Sequence, residues 1–219
     1  MADEGHWVRW HEPYEDPTSF LSRRLSVVQK RLRQALDQCP RGRIRLISLC
    51  AGQGRDVIGV LADHQRRDDV HALLVELDAR LTDHARLAAE ELGLTTVEIR
   101  QGDAARTSAY TDAVPADVVM ACGVFGNISD QDIHATVAMF PSLLATGGAV
   151  IWTRHRLEPD LTPSIRAWFE GAGFEEVAFD TEEGTFFSVG THRLKVPPLP
   201  FDPNQTMFTF FGDGSEAHR

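Results

Sequence analysis

Apolar residues along this chain follow two alternating rhythms. At Leu21, Leu25, Val28, Leu32 and Leu36 they recur every three or four positions, which predicts an amphipathic helix from about Ser19 to Leu36, after a DPTS stretch that can cap it. RIRLISLC (43–50) then concentrates isoleucine and leucine in a short run, as a buried strand does. The alternation continues along the chain. RDVIGVLADH (55–64) and ARLTDHARLAAEELG (79–93) read as helices, the second stopped at Gly93. HALLVEL (71–77), TVEIRQGD (96–103) and ADVVMACGVF (116–125) read as strands. DQDIHATVAMFPSLL (130–144) is helical with a kink or an end at Pro141, GGAVIWTRH (147–155) is a fifth strand, and LTPSIRAWFEGAG (161–173) a further helix.

The rhythm then changes. FEEVAFD (174–180) and TFFSVGTHRL (185–194) are both strand-like, and only TEEG separates them. Parallel strands need a crossover of a dozen or more residues, so these two form an antiparallel hairpin. Five β-α units followed by such a pair predict an α/β fold, a doubly wound sheet with helices on both faces. The remaining segment is Pro-rich and then polar; Phe208, Phe210 and Phe211 are expected to pack, and the last few residues to be loose.

Composition adds mainly exclusions. With 219 residues, 42% hydrophobic and 25% charged, the chain suits one large domain of ordinary make-up. No apolar run approaches the roughly 20 residues of a bilayer span, and the first residues are polar and acidic, unlike a signal or transit peptide. Cys39, Cys50 and Cys122 are spaced for neither a disulfide framework nor zinc, so a reducing cytoplasmic setting and no metal are expected. A net charge of −10 argues against a nucleic-acid partner; the basic SRRLSVVQKRLRQ stretch is expected to be a solvated helix face.

The most informative stretch is SLCAGQGRD (48–56), between the first strand and the second helix. A dinucleotide fingerprint needs a third small residue, where Val57 or Arg55 stands here, and no GK[ST] follows for a phosphate loop. Asp56 in the first helical turn suits the helix dipole but would repel a phosphate. A loop built for close backbone approach without a phosphate suits an adenosine with a short zwitterionic tail, which is S-adenosylmethionine (SAM). Glu76 follows Gly54 by 22 residues and would end the second strand, where a carboxylate can accept from both ribose hydroxyls. Asp78 is expected to cap the next helix. Gly102-Asp103-Ala104 ends the third strand with an acceptor suited to an adenine amino group.

SLCAGQGRD, LLVELD, RQGDAA, PADVVMACGVFGN and LLATGGAVIWT together resemble the class I SAM-dependent methyltransferases over about residues 43–194, in particular a group of uncharacterised bacterial ones. The usual acidic residue and first glycine of the opening motif appear here as Ser48 and Cys50. The resemblance implies a Rossmann-like seven-stranded sheet of order 3-2-1-4-5-7-6 with strand 7 antiparallel. It implies a cofactor site of Ser48, Cys50, Ala51, Gly52, Gly54, Glu76, Leu77, Gly102, Asp103, Ala104, Cys122 and Gly123. The organisation expected is a lid and helix over 1–40, a cofactor-binding domain over 41–195 and a packed tail over 196–219.

Methyl transfer from a sulfonium needs alignment above all, and a base only where the nucleophile arrives protonated. Imidazole suits such a proton transfer, which makes His155 the best-placed base, with Tyr14 of the N-terminal segment as a second catalytic candidate. Phe125, Asn127, Arg154 and His11 are the candidates for contact with the acceptor. Buried cysteines at 50 and 122 are expected to act as small hydrophobes. The expected function is methylation of a small molecule at O, N or C, without membrane partners, the aromatic N-terminus and tail being able to serve a homodimer. A SAM-cleaving or cyclising enzyme, a non-catalytic SAM sensor and, against Val57, an NAD enzyme are the alternatives.

Overall fold

The computed structural model describes residue 16 and residues 18–211. Helix α1 (Phe20–Gln38) begins at the N-cap Ser19, whose hydroxyl accepts the Ser22 N–H. The elements that follow are β1 (Ile44–Leu49), α2 (Arg55–Leu61), β2 (Val70–Glu76), α3 (Ala79–Glu91), β3 (Val97–Gln101) and β4 (Ala116–Ala121). Then come α4 (Asp130–Leu143), β5 (Leu144–His155), α5 (Thr162–Gly171), β6 (Phe174–Thr181) and β7 (Phe187–Leu194). Pro141 falls in the last turn of α4, where the helix gives way to β5.

The seven strands form one sheet of order β3-β2-β1-β4-β5-β7-β6. The first five run parallel, and β7 pairs antiparallel with both β5 and β6. Side-chain alternation divides the core in two. Ile47, Leu49, Val119, Val150 and Trp152 point to the face covered by α4 and α5. Leu46, Leu74, Val118 and Ile151 point to the face covered by α1, α2 and α3. The strand order, not the strand direction, reverses between β1 and β4, so the crevice of the fold opens at the carboxyl ends of those two parallel strands.

On the α4–α5 face the Trp152 indole N–H donates to His192 Nδ1 at 3.1 Å, and both rings stack on Phe169. Burial lowers the His192 pKa to about 4, although Glu176 lies 3.7 Å from Nε2. Protonation would also place the ring's second proton on Nδ1, facing the indole N–H. The unfolded chain therefore binds this proton more readily, and stability falls as pH drops from 6.5 toward about 4. The loss attributable to this residue is on the order of 3 kcal/mol. Urea denaturation across that range should show a flatter pH dependence for His192→Phe than for the natural chain.

Candidate cofactor and acceptor site

The carboxyl ends of β1, β2, β3 and β4 carry the residues that bear on function. After β1 the backbone is left-handed three times at alternate positions: Cys50 (φ 50°), Gly52 (φ 56°) and Gly54 (φ 67°). Gly54 is required twice over, because a Cβ there would lie 2.8 Å from Ile58 Cδ1 and 2.9 Å from Leu74 Cδ2. Cys50 takes the left-handed region without being glycine, at a cost of roughly 1–2 kcal/mol. Its thiol is pushed well up by burial, and further by Glu76 and Asp103, which makes it a neutral packing group rather than a nucleophile.

Glu76, only 9% exposed, ties this loop to the end of β2. Its Oε2 accepts the Gly52 N–H at 2.8 Å, and its Oε1 accepts the N–H groups of Leu77 and Asp78, each at 2.9 Å. An ionised carboxylate has about four acceptor positions, so one is left, on Oε2. Glu76 is thus a loop anchor with one acceptor position remaining beside its three backbone bonds. Leu77 projects beside it, 69% exposed. Asp78 caps α3 by accepting the Arg80 N–H.

At the end of β3 the Gly102 N–H donates to the Glu76 carbonyl at 2.8 Å, extending the pairing one residue beyond the strands. Asp103 Oδ1 accepts the Ala105 N–H at 2.9 Å, while Oδ2 stands 3.6 Å from the Arg106 guanidinium on a side chain that is 53% exposed. Ala104 is buried, its carbonyl accepting the Tyr110 hydroxyl at 2.6 Å.

Beyond β4, Gly123 (φ 80°) donates its N–H to Thr153 Oγ1 at 2.8 Å. The turn then folds back on itself. Asn127 Nδ2 donates to the Gly123 carbonyl at 2.7 Å, and Arg154 Nη1 donates to the Phe125 carbonyl. Both side chains are occupied in holding the loop, and the cap of α4 is Ser129. Phe125 leaves the set of acceptor contacts altogether: its ring is fully buried between Phe140 and Trp152. Ser48 likewise sits inside the sheet, next to Leu74 and Met120 in register, too deep to line the crevice. Ala51 is fixed by its N–H to the Val75 carbonyl at 3.0 Å. His155, opposite Phe187 at the end of β5, places its ring against Gly126. His11 and Tyr14 lie outside the described residues.

Near the far end of the glycine loop Arg24 of α1, Asp56 of α2 and Cys122 influence one another electrostatically. Burial raises the Asp56 pKa, opposed by the Val57 N–H and by the Arg24 guanidinium. Cys122 is pushed well up by burial and by Asp56, and drawn back by Arg24. Arg24 of α1 and Asp56 of α2 thus act on Cys122 in opposite senses. The sequence predicts Cys122 as a cofactor contact, Asp56 as the acidic residue of the first helical turn, and Arg24 as a group able to reach the methionine carboxylate or the substrate. Among the described residues no group of three or more His, Cys, Asp or Glu is placed to hold a metal ion.

A family model described as "Putative methyltransferase" matches residues 20–171, from the first residue of α1 to the last of α5. The chain belongs to that methyltransferase family. Solved methyltransferase structures share its fold. Magnesium protoporphyrin IX methyltransferase from Synechocystis PCC 6803, with bound SAM, superposes with a TM-score of 0.66 at 12% identity, covering 86% of this chain and 90% of that one. An O-methyltransferase family protein from Burkholderia thailandensis gives 0.65 at 19% identity, covering 87% of this methyltransferase and 61% of that longer chain. The 1,6-didemethyltoxoflavin-N1-methyltransferase of the same species, with bound S-adenosylhomocysteine (SAH), gives 0.61 at 14% identity and 87% of both chains. No curated protein matches the methyltransferase in sequence.

Proposed function

We propose that this methyltransferase uses SAM to methylate a small-molecule nucleophile at O, N or C. The observation that carries the reading is Glu76: a buried carboxylate at the end of β2, held beneath a loop with three left-handed residues, with one acceptor position remaining. That position suits a ribose hydroxyl, the exposed Leu77 an apolar adenine face, and Asp103 Oδ2 an adenine amino group. Arg24 and Asp56 supply opposite charges for the carboxylate and ammonium of a zwitterionic tail. When bound, SAM supplies an electrophilic methyl group whose departure leaves neutral SAH. The chain's part is to align the acceptor and exclude water, which can contribute up to roughly 7–11 kcal/mol. We assign to His155, at the end of β5, the role of base where the acceptor must lose a proton.

A net charge of −10 supports a small molecule rather than a nucleic acid as acceptor. No described helix is long and apolar enough to cross a membrane, and free thiols at Cys39, Cys50 and Cys122 support a reducing setting. Calorimetric titration of the full chain tests the cofactor. Micromolar binding of SAM and SAH without binding of NAD is expected; binding of NAD alone, or of none of the three, would sink the reading.

A further inference from the structure

Residues 205–211, beyond the stretch matched by the family model, cross the crevice edge from the loop after β3 to the loop after β4. At one end, Gln205 exchanges three bonds with Thr107: its carbonyl accepts the Thr107 N–H and Oγ1–H, and its N–H donates back to Oγ1. The Met207 N–H donates to the Ala105 carbonyl at 2.8 Å, and Arg106 Nη1 donates to Thr206 Oγ1 at 3.2 Å. At the other end, the Met207 carbonyl accepts from Thr136 Oγ1, and the Phe211 N–H donates to the Asn127 carbonyl at 2.9 Å. Met207 and Phe208 are buried in the α4–α5 core, which fixes the segment from beneath.

These bonds converge on the turn that presents Asp103. Ala105, whose carbonyl the strap holds, gives its own N–H to Asp103 Oδ1. Arg106, whose guanidinium the strap also holds, stands beside Asp103 Oδ2. The opposite side of the turn is pinned by Tyr110 on the Ala104 carbonyl. The Asp103 and Arg106 side chains are more than half exposed on this turn, and a carboxylate selects a base only if its oxygen is held in one place.

We propose that the 205–211 strap is a specificity-determining element, whose bonds to Ala105, Arg106 and Thr107 hold Asp103 where it accepts from an adenine amino group. The proposal rests on the adenine contact assigned to Asp103 above. Its signature is selectivity between purines. S-inosylhomocysteine differs from SAH in carrying a carbonyl where adenine carries its amino group, so it sets one acceptor against another at Asp103.

The test compares calorimetric affinities for SAH and S-inosylhomocysteine. The intact chain should favour SAH by about tenfold or more, as loss of a hydrogen bond to a charged group implies. Truncation after residue 211 should keep that ratio, and truncation after residue 204 should bring it to within about threefold of unity, with folding checked by circular dichroism. Should the shorter chain not fold, Thr206→Val in the full chain, at an exposed position, releases Arg106 alone and should lower the ratio at least about threefold. A folded truncated chain, or Thr206→Val, that keeps the full ratio overturns the strap's role alone. Equal affinity of the intact chain for both compounds overturns the Asp103 contact and the strap's role with it. A general loss of stability would weaken both compounds alike and leave the ratio in place.

Discussion

Glu76→Ala is expected to weaken SAH binding by at least about a hundredfold while also destabilising the protein. The carboxylate accepts three backbone N–H groups, and removing it leaves the buried Gly52 donor, with those of Leu77 and Asp78, unpaired. An unsatisfied buried donor costs about 1–3 kcal/mol, and the two part-buried ones less because water reaches them. The melting temperature should therefore fall by roughly 5–10 °C. The loss of affinity has two sources. One is the missing acceptor on Oε2; the other is release of a loop whose left-handed residues are held in place by that carboxylate. Glu76→Gln separates them, since its amide keeps the volume and one acceptor oxygen but turns an NH2 toward N–H donors. It should fall between the natural chain and Glu76→Ala in both melting temperature and SAH affinity. SAH affinity unchanged in Glu76→Ala would confine the carboxylate to holding the loop and remove it from the cofactor site.

The second large effect lies away from the crevice. In Gly190→Ala, the new Cβ would stand 2.2–2.4 Å from Cε2, Cζ2 and Nε1 of Trp152, its register partner on β5. The indole is fully buried and stacked on Phe169 with a ring separation of 5.8 Å. It has no free direction in which to move, and any tilt breaks its bond to His192 Nδ1. Overpacking and the lost hydrogen bond together should cost about 3 kcal/mol, or roughly 6–12 °C in melting temperature. Combining Gly190→Ala with Trp152→Phe removes the clashing ring and should recover part of the loss. A single variant that melts within about 2 °C of the natural chain would show that β5 and β7 can spread there at little cost.

The β5–β7 contact also shows where local pattern stops being informative. Runs of apolar residues separated by helical periods determined the strands and their alternation with helices, because a buried parallel strand needs a continuous apolar run and an outer helix needs a stripe. TEEG determined the direction of the last pair, since four residues cannot cross a sheet. The same reasoning placed the glycine loop, Glu76 and Asp103 at successive strand ends, hence on one edge of the sheet.

What these residues do there was decided elsewhere. GVFGN has the composition of a ligand-contacting turn, yet Phe125 turned inward because the space between Phe140 and Trp152, on distant elements, was there to be filled. Cys50 stands left-handed because the loop demands it, against the preference of its own side chain. Glu76 anchors the Gly52 N–H, which only the pairing of β1 with β2 brings within its reach. The strap reaches Ala105, Arg106 and Thr107 from about a hundred positions away, so no period or spacing encodes it. The sequence alone determined strand direction and the edge that carries the site, since both follow from local periodicity and connection length. Only the tertiary structure decided which side chains face the crevice and which are occupied in holding it, because that depends on partners remote in the chain.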